Sequence, residues 1–424
     1  MTLYLVSFAI FLLVGLPIAF ALGLASLTYL VMTDNLRLLL AFPQRMIAGI
    51  DNFVLLSIPL FILAGSLMNR AELTAQLVRF AQMLVGRIKG GLAAVNVLSG
   101  LMFSGVSGAA TAEASAIGSV MIPSMVRDGY RATYAAALTA AGSLTGPLIP
   151  PSLGLILYGV LTGTSIGDLF LAGILPAFLL AGLLVSYALW KARREDHPVP
   201  PPVPREARRG AVMAAIPALL LPVIIVGGIR GGVFTPTEAA AVACAYALLI
   251  GAVLMRTLTP RRIAASMLDT ATLSAGIMLV VAMASMTAFV LGIERIPQRI
   301  AGGFLGITDS PLLLLLLLNL VLLVLGLFLE PLAAMILALP ILSLLSPAIG
   351  MDPVQFGIMV VLNLMIGMIT PPVGLVLFIV AALARAPIEG VTRAVLPLIG
   401  IALVVLAAVA LVPGLTLFLP GLFK

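Results

Sequence analysis

Long apolar segments separated by short polar connections run along most of the chain. Nine of them predict single membrane spans, at about 3–32, 53–69, 131–162, 168–190, 211–229, 235–255, 266–292, 353–384 and 391–420. The first carries no charge and is too long for a signal peptide, so we interpret it as a retained spanning helix. It also exceeds the ~20 residues that cross a bilayer core, so we expect it to tilt or bend near Gly15–Pro17.

Two further apolar segments, 91–125 and 308–349, do not fit a single span. Each is too long for one helix and too short for two full crossings with a loop. Each has small or turn-forming residues in its middle, SGVSGAATA at 104–112 and LGLFLEPLAA at 325–334. This pattern predicts two re-entrant helical hairpins, because irregular backbone is tolerated at membrane depth only where protein or a cavity surrounds it.

The two halves of the chain repeat each other at an offset of 221 residues. The matched positions are Gly146 with Gly367, Pro150 and Pro151 with Pro371 and Pro372, Asp168 with Glu389, and Pro176 with Pro397. Within the hairpins Pro123 pairs best with Pro340, so we expect hairpin arms of different length. Each repeat contains a hairpin followed by an interrupted helix, and the threading below gives the repeats opposite orientations. The fold class is an all-α polytopic membrane protein with two inverted-topology repeats.

The segments 131–162 and 353–384 are interrupted in their middle by GPLIPP and TPP, where proline breaks the helix. A break at the bilayer midplane leaves carbonyl oxygens that suit Na⁺ and N–H groups that suit a substrate carboxylate. We expect the hairpin tips to supply further oxygen ligands: Ser104, Ser107, Gly108 and Thr111 in the first half, with Gly326 and Thr370 as counterparts in the second.

Acidic residues inside the hairpins, Glu113 and Glu330, are costly in a membrane and need a partner. For both, ion or proton binding and a fixed hydrogen-bond acceptor for backbone donors remain open; for Glu113 we favour the structural role. Candidates to line the substrate site are Thr111, Ser143, Thr145, Asn363 and Thr370.

Composition excludes several classes of function. Of the 424 residues, 62% are hydrophobic and 9% are charged, which cannot cover a soluble domain. The single histidine, His197, rules out a His-based metal centre within the chain, and none of the three lysines follows a phosphate-binding glycine loop. The single cysteine, Cys244, lies in an apolar run and is expected to pack there. We therefore expect a transporter and not an enzyme, with no cofactor.

The basic residues predict the orientation. With the loop 191–209 in the cytoplasm, only six of the 23 Lys and Arg residues fall on the other face: Arg37, Arg45, Arg230, Arg295, Arg299 and Lys424. This threading places the N-terminus in the cytoplasm and the C-terminus outside.

The domain organisation follows from the same pattern. We expect a scaffold at 1–52 (the first spanning helix and an interfacial helix at 36–50), and repeat 1 at 53–190. A Pro/Arg-rich linker at 191–210, scaffold helices at 211–262, and repeat 2 at 263–424 complete the chain.

At these motifs the sequence resembles the large membrane subunit of the tripartite ATP-independent periplasmic (TRAP) transporters, in the ion transporter superfamily. The resemblance rests on SIPLFILAGSLMNR (57–70), GGLAAVNVLSGLMFSGVSGAATAEASAIGSVMIPSM (90–125), GPLIPPS (146–152), GLFLEPLAAMILALPIL (326–342) and TPPVG (370–374). It implies Na⁺-coupled, elevator-type uptake of an organic acid, such as a C4-dicarboxylate or sialic acid, across a bacterial inner membrane. It also implies that Na⁺ binds where each tip meets its break: Ser104–Gly108 with Gly146–Pro150, and Gly326–Glu330 with Gly367–Pro371.

The resemblance further implies two protein partners: a periplasmic substrate-binding protein and a small four-helix membrane subunit, expected here as a separate chain. We expect contact with membrane lipid and none with nucleic acid. The alternative is a stand-alone Na⁺- or H⁺-coupled organic-anion carrier that needs no binding protein. A passive channel is disfavoured, because two opposed hairpins that close one site suit alternating access.

Overall fold

The computed structural model describes residues 2–86, 88–195, 199 and 205–423, which form packed α-helices. The predictions that concern Arg87, His197, most of the proline-rich linker and Lys424 lie outside these residues. Within the described part, eight helices are long and apolar enough to cross a membrane: Phe53–Arg70, Ile166–Arg194, Arg208–Arg230, Pro236–Leu254, Pro260–Ile293, Pro311–Phe328, Pro331–Ile349 and Ile388–Leu411.

The N-terminal segment forms two short helices, α1 (Thr2–Leu13) and α2 (Ile18–Met32), that fold back on each other. Gly15 has a φ of +88° after α1, and Pro17 precedes α2. Tyr4 and Ser26, from opposite ends of the segment, both lie within hydrogen-bond distance of the Thr287 hydroxyl, at 3.2 and 3.3 Å. The prediction of one spanning helix over 3–32 is therefore wrong, although the bend lies where we expected it. The start of α1 and the end of α2 share a face, which also contradicts the expected threading of the N-terminus.

Three helices lead to the first hairpin: α3 (Ala41–Ile50), α4 (Ser57–Arg70) and α5 (Leu73–Val85). The hairpin itself, hairpin 1, consists of α6 (Gly91–Ser107) and α7 (Ala110–Arg127). The interrupted helix follows as α8 (Ala132–Gly142) and α9 (Leu153–Thr162), separated by a 3-10 turn and by break 1, residues 146–152. Repeat 1 ends with the long helix α10 (Ile166–Arg194).

The second half repeats this order after two connecting helices, α11 (Arg205–Arg230) and α12 (Pro236–Leu249). The helix α13 (Pro260–Ile293) leads to α14 (Ile296–Ile307), which the apolar pattern did not predict. Hairpin 2 consists of α15 (Pro311–Phe328) and α16 (Pro331–Ile349). The interrupted helix is α17 (Pro353–Gly367) and α18 (Leu375–Ala384), separated by break 2, residues 368–374. The chain ends with α19 (Ile388–Leu411) and α20 (Gly414–Leu422), so the expected single span at 391–420 is two helices.

Equivalent helices of the two repeats keep a nearly constant separation through the hairpins. They begin 220 to 223 residues apart, at Leu73 and Ile296, Gly91 and Pro311, Ala110 and Pro331, Ala132 and Pro353, and Ile166 and Ile388. The arms are 17 and 18 residues long in hairpin 1 and 18 and 19 in hairpin 2. The expectation that the arms differ in length, which rested on pairing Pro123 with Pro340, is therefore wrong. Glu113 and Glu330 are consequently not equivalent positions.

The two interrupted helices run in opposite directions. On one side, face A, the start of α8 meets the start of α19, where a Cβ on Gly390 would lie 2.8 Å from Thr133. On the other side, face B, the Tyr158 hydroxyl near the end of α9 donates a 2.9 Å hydrogen bond to the carbonyl of Pro353, at the start of α17. Hairpin 1 begins at face A and hairpin 2 at face B. This arrangement confirms the inverted repeats predicted from the sequence.

Candidate functional site

The tip of hairpin 1 lies directly against break 1. Gly108 has a φ of +63°, and a Cβ at this position would overlap the carbonyl oxygen of Pro151. Its own carbonyl accepts a 3.4 Å hydrogen bond from the N–H of Leu153, the first residue of α9. Among the described residues, the buried hydroxyl oxygen of Ser107 has no hydrogen-bond partner. The predicted contact between this tip and break 1 is thus present.

The side chain of Ser152 forms hydrogen bonds to the backbone of break 1 and of α9. Ser152 caps α9 by accepting a 3.2 Å hydrogen bond from Leu155 N–H, while its hydroxyl donates to the carbonyl of Pro147. The Pro150–Pro151 bond is cis, as is Pro371–Pro372 in break 2. With proline nitrogens at 147, 150 and 151, carbonyl oxygens here lack the usual helical donors. Such oxygens can coordinate a cation.

Glu113 is buried inside hairpin 1, 1% exposed, and its carboxyl group contacts side chains of both the hairpin and the interrupted helix. The Ser104 hydroxyl lies 2.8 Å from Oε2 and the Thr145 hydroxyl 3.3 Å from Oε1. Glycine makes the room: a Cβ on Gly100 or on Gly146 would lie 2.6 Å from one of the carboxyl oxygens. Glu113 therefore links hairpin 1 to the 3-10 turn before break 1 through its contacts with the Ser104 and Thr145 hydroxyl groups.

In the second half, hairpin 2 meets its interrupted helix through bare backbone. A Cβ on Gly326 would lie 2.7 Å from the carbonyl oxygen of Leu364, and one on Gly367 would lie 2.7 Å from the carbonyl oxygen of Gly326. The Thr370 hydroxyl, partly exposed at the start of break 2, donates a 2.7 Å hydrogen bond to Ile366 O. Pro371 is also partly exposed there. The structure thus brings Gly326 and Gly367 together as predicted.

Glu330 caps helix α16. Its Oε2 accepts hydrogen bonds from the N–H groups of Leu332 (3.0 Å) and Ala333 (3.1 Å). Of the two roles left open by the sequence, this geometry shows the acceptor of backbone donors, which is the usual duty of an N-cap carboxylate. The remaining oxygen, Oε1, is free of hydrogen bonds to described residues.

Asn363 bridges hairpin 2 and the interrupted helix. Its side-chain N–H₂ donates to Asn319 Oδ1 (2.7 Å) and to Asn319 O (2.9 Å), while its own Oδ1 is buried without a partner among the described residues. In the first half the equivalent helices are joined in a similar way: the Asn96 side chain on α6 donates a 2.8 Å hydrogen bond to the Thr139 hydroxyl on α8. The sequence analysis missed Asn319, whose one signal was a side-chain amide directly after the leucine run 312–318.

The other candidates to line a substrate site are scattered. Ser143 is buried and donates to Ala140 O at 2.8 Å, so its hydroxyl is bonded to the last turn of α8. Thr145 faces Glu113. Thr111 is partly exposed in the first turn of α7, which packs against α18 just beyond break 2. The second arm of each hairpin therefore lies against the second half of the other repeat's interrupted helix: α7 against α18 and α16 against α9.

A cavity of about 460 Å³ opens between hairpin 2 and the helices α3 and α13. Gly49 and Ser285 line it on one side. Tyr158, Thr162 and Ser343 line it on the side of the repeats. The interface between these two groups of helices is therefore incompletely packed near face B.

Comparison with known proteins gives consistent matches over nearly the whole chain. The family model of the DctM component of the tripartite ATP-independent periplasmic transporters matches residues 5–415. The sialic acid TRAP transporter large permease protein SiaM of Vibrio cholerae is 44% identical over 411 residues, 96% of each chain. The C4-dicarboxylate large permease DctM of the same organism is 37% identical, covering 96% of this chain and 95% of that one.

Two further proteins, one of them a solved structure, match most of this chain. The isethionate TRAP transporter permease protein DctMQ of Oleidesulfovibrio alaskensis is 39% identical over 98% of this chain, which spans 65% of that relative. The solved structure of the Alcanivorax borkumensis YdaH transporter, described as having an unusual topology, aligns with a TM-score of 0.63 at 15% identity. It covers 91% of this chain and 90% of that one, and it shows the fold.

Proposed function

This chain belongs to the DctM family, the large permease component of the tripartite ATP-independent periplasmic transporters, and we propose that it takes up an organic acid by Na⁺ symport. The observation that carries the proposal is the close contact between the tip of hairpin 1 and break 1. There Gly108 lies against the carbonyl of Pro151, and the hydroxyl of the preceding Ser107 is buried without a hydrogen-bond partner among the described residues. Oxygen-only sites of this kind suit a hard monovalent cation.

A second cation site is proposed where Gly326 meets Gly367. The absence of side chains lets the two backbones touch, which brings the carbonyl oxygens of Leu364 on α17 and Gly326 on α15 to this contact. Thr370 in break 2 and Glu330, which follows α15, are the residues with side-chain oxygens that we propose to add. We propose Ser107, Gly108, Gly146 and Pro150 for the first site and Gly326, Gly367, Thr370 and Pro371 for the second; Ser104 is turned to Glu113 instead.

The substrate is proposed to be a carboxylate bound between the two tips, near Thr111, Thr370 and the N-terminal end of α18. Half-helix N-termini present free N–H groups and a positive dipole end to an anion. The relatives named for sialic acid, C4-dicarboxylate and isethionate transport are all permeases for organic acids. None belongs to an enzyme class.

An elevator-type movement is proposed for the hairpins and interrupted helices relative to α3, α11, α12 and α13. The cavity of about 460 Å³ between these two groups near face B supports this division, since a sliding boundary is not a continuous packed core. Within the second group, glycine lets α3 and α13 pack closely. A Cβ on Gly49 of α3 would lie 2.7 Å from the hydroxyl of Ser285 on α13.

Orientation and partners complete the proposal. Face A carries Arg127, Arg131, Lys191, Arg385 and Arg393, so the positive-inside rule places it in the cytoplasm of a bacterial inner membrane. The C-terminal helix α20 and, by the fold of α1 on α2, the start of the chain then lie toward the periplasm. A periplasmic substrate-binding protein would deliver the organic acid there, and a small four-helix membrane subunit would bind the scaffold.

The test is uptake into proteoliposomes that contain this chain and the small subunit. Binding protein loaded with radiolabelled organic acid is added outside, with or without an inward Na⁺ gradient. Uptake that needs both additions supports the proposal. Uptake without the binding protein would instead support the stand-alone carrier, and uptake driven by a proton gradient alone would refute Na⁺ coupling.

Ser107→Ala tests the first cation site within the same assay. Because the hydroxyl makes no hydrogen bond in the described structure, we expect stability to change little while the Na⁺ concentration for half-maximal uptake rises about tenfold, the effect of about 1.4 kcal/mol. Ser186→Ala is the matched control, since that hydroxyl is exposed on α10 and bonds Gly182 O. An unchanged Na⁺ dependence in Ser107→Ala would remove this residue from the site.

A further inference from the structure

An apolar groove runs between α10 and α11 beside hairpin 1. Its volume is about 580 Å³, and its walls are apolar side chains and glycine from α6, α10, α11 and break 1. Phe178 of α10 and Val223 of α11 line it and are 56% and 64% exposed. Both helices are long and apolar enough to cross a membrane, so the groove opens onto lipid. Its inner wall includes Gly105 of hairpin 1 and Pro150 of break 1.

The groove is closed toward face B. There Arg230, at the end of α11, donates a 2.9 Å hydrogen bond to Asp168 in the first turn of α10. Next to this pair, a Cβ on Gly167 would lie 3.2 Å from the Ile229 side chain, so the two helices are in contact. A transmembrane helix of a partner protein would have to continue past this contact to cross the bilayer. A lipid acyl chain ends near the bilayer midplane and would not.

Each wall of the groove leads to an arginine on face A. On α11, Val223, Ile216 and Arg209 follow one another at seven-residue intervals, which places them on the same side of the helix, and all three are exposed. On α10, Phe178 is followed by Arg193, which is exposed in the last turn of the helix. Among the described residues, neither arginine forms a salt bridge. Both guanidinium groups are therefore available to an anion.

The spacing along these walls matches one leaflet of a bilayer. At 1.5 Å per residue, Val223 is about 21 Å from Arg209 along α11. By the same measure, Phe178 is about 18 Å from Trp190 along α10. Half of the hydrocarbon core is ~15 Å thick, and half of the bilayer with its headgroups is ~20–22 Å thick. The segment 191–209 also contains six basic and three acidic residues, a balance that favours anionic headgroups.

We propose that this groove binds an anionic phospholipid of the leaflet on face A. Its acyl chain lies between α10 and α11 and contacts Pro150 of break 1, and its phosphate is held by Arg193 and Arg209 at the level of Trp190. Burial of the apolar chain and attraction between the charges both favour binding. The chain fills part of the boundary between hairpin 1 and α11, across which the elevator movement takes place. That consequence rests on the proposed function, whereas the binding itself does not.

Fluorescence of Trp190 tests the preference for an anionic lipid, because it is the single tryptophan of the chain. The full chain is reconstituted in phosphatidylcholine vesicles that contain a rising fraction of one brominated lipid, whose bromine atoms quench tryptophan. We expect brominated phosphatidylglycerol to reach half-maximal quenching at about a fivefold lower fraction than brominated phosphatidylcholine, the effect of one arginine at a membrane surface. Equal quenching by the two lipids would overturn the proposal.

Removing the two arginines tests the phosphate contacts. Arg193→Gln combined with Arg209→Gln should abolish the preference for phosphatidylglycerol. Both side chains are exposed, so we expect this double variant to fold. Arg393→Gln is the matched control, since it removes an exposed arginine from face A at the start of α19, and it should keep the preference. A preference that survives in the double variant would show that the phosphate is bound elsewhere and would contradict the assignment.

The position of the acyl chain is tested by moving the tryptophan. Phe178→Trp in a Trp190→Phe background places the single tryptophan in the groove, and Val404→Trp in the same background places it on the exposed side of α19. Both positions are sixteen residues from the face A end of their helix, so their depths match. We expect the preference for phosphatidylglycerol at Phe178→Trp and none at Val404→Trp.

Two results at Phe178→Trp would overturn the proposal. Quenching by neither lipid would show that a protein segment, such as part of a second copy of this chain, occupies the groove. Equal quenching by both lipids would show ordinary contact with bulk lipid. None of these outcomes depends on uptake or on Na⁺, so failure here leaves the proposed function standing.

Discussion

Gly326 of α15 and Gly367 of α17 lie backbone against backbone, so that a Cβ on Gly367 would stand 2.7 Å from the carbonyl oxygen of Gly326. Neither residue has a positive φ, so conformational freedom does not require glycine at either position. The requirement is the space between hairpin 2 and break 2.

Gly367→Ala should therefore separate hairpin 2 from the interrupted helix. We expect a loss of about 1–3 kcal/mol in the free energy of unfolding, the range for an overpacked contact, and a higher Na⁺ requirement for uptake. Thermal unfolding and Na⁺-dependent uptake measure the two effects. Gly400→Ala on α19, where a Cβ meets nothing within 4 Å, is the control and should match the wild type in both.

Gly108 at the tip of hairpin 1 has a left-handed backbone and also packs closely against Pro151. Gly163 has the left-handed backbone alone, so comparing substitutions at the two positions separates strain from packing. Both have positive φ, +63° and +71°, but a Cβ on Gly163 would meet nothing within 4 Å. Gly163→Ala should cost only the backbone strain, about 1–2 kcal/mol, and keep its uptake. Gly108→Ala should cost more and abolish uptake, because the tip cannot close on Pro151. Equal effects of the two substitutions on uptake would show that tip closure is not required.

Arg230 ties the C-terminal helix to the start of α10. It donates to Asp168 Oδ1 at 2.9 Å and to Phe423 O at 2.7 Å, and its side chain is 24% exposed. Arg230→Ala should destabilise the protein by about 1.5–3 kcal/mol, as expected for charged hydrogen bonds, and expose α20 to carboxypeptidase. Arg70, whose partner Asp269 is 54% exposed, is the comparison. Arg70→Ala should cost less than about 1 kcal/mol. Undiminished protection of α20 in Arg230→Ala would contradict this role.

Asn363 and Asn319 should act as a pair that stabilises the protein without selecting the substrate. Each alanine substitution removes the hydrogen bond between the two side-chain amides, so the two effects should not add, with a coupling of about 1 kcal/mol in a double-mutant cycle. The KM for the organic acid should stay within about twofold in whichever single variant folds, because the amide N–H₂ is bonded to Asn319 and not free for a ligand. A large change in KM with unchanged stability would restore Asn363 to the substrate site.

The sequence was most informative where one local rule decides the structure. Proline at 150–151 and 371–372 breaks a helix wherever it lies in the chain, and the small or turn-forming residues at 104–112 and 325–334 divide the apolar stretches 91–125 and 308–349 into two arms each. These rules, read at the offset of 221, were enough to predict the inverted repeats, whereas the meeting of each tip with its break was implied by the family resemblance. They failed at α14, because the segment 296–307, IPQRIAGGFLGI, is amphipathic and lacks the long apolar run of a span.

The contacts that connect distant parts of the chain were decided by the tertiary structure alone. The N-terminal segment folds back because Tyr4 and Ser26 share Thr287, more than 250 residues away. Glu113 found its partners in Ser104 and Thr145, and Asn363 in Asn319, through packing that no spacing along one helix reveals. A helix break or a hairpin depends on residues adjacent in sequence, so composition and order determine it. A buried polar group takes whichever partner the folded chain brings within 3 Å, and only the assembled helices decide that.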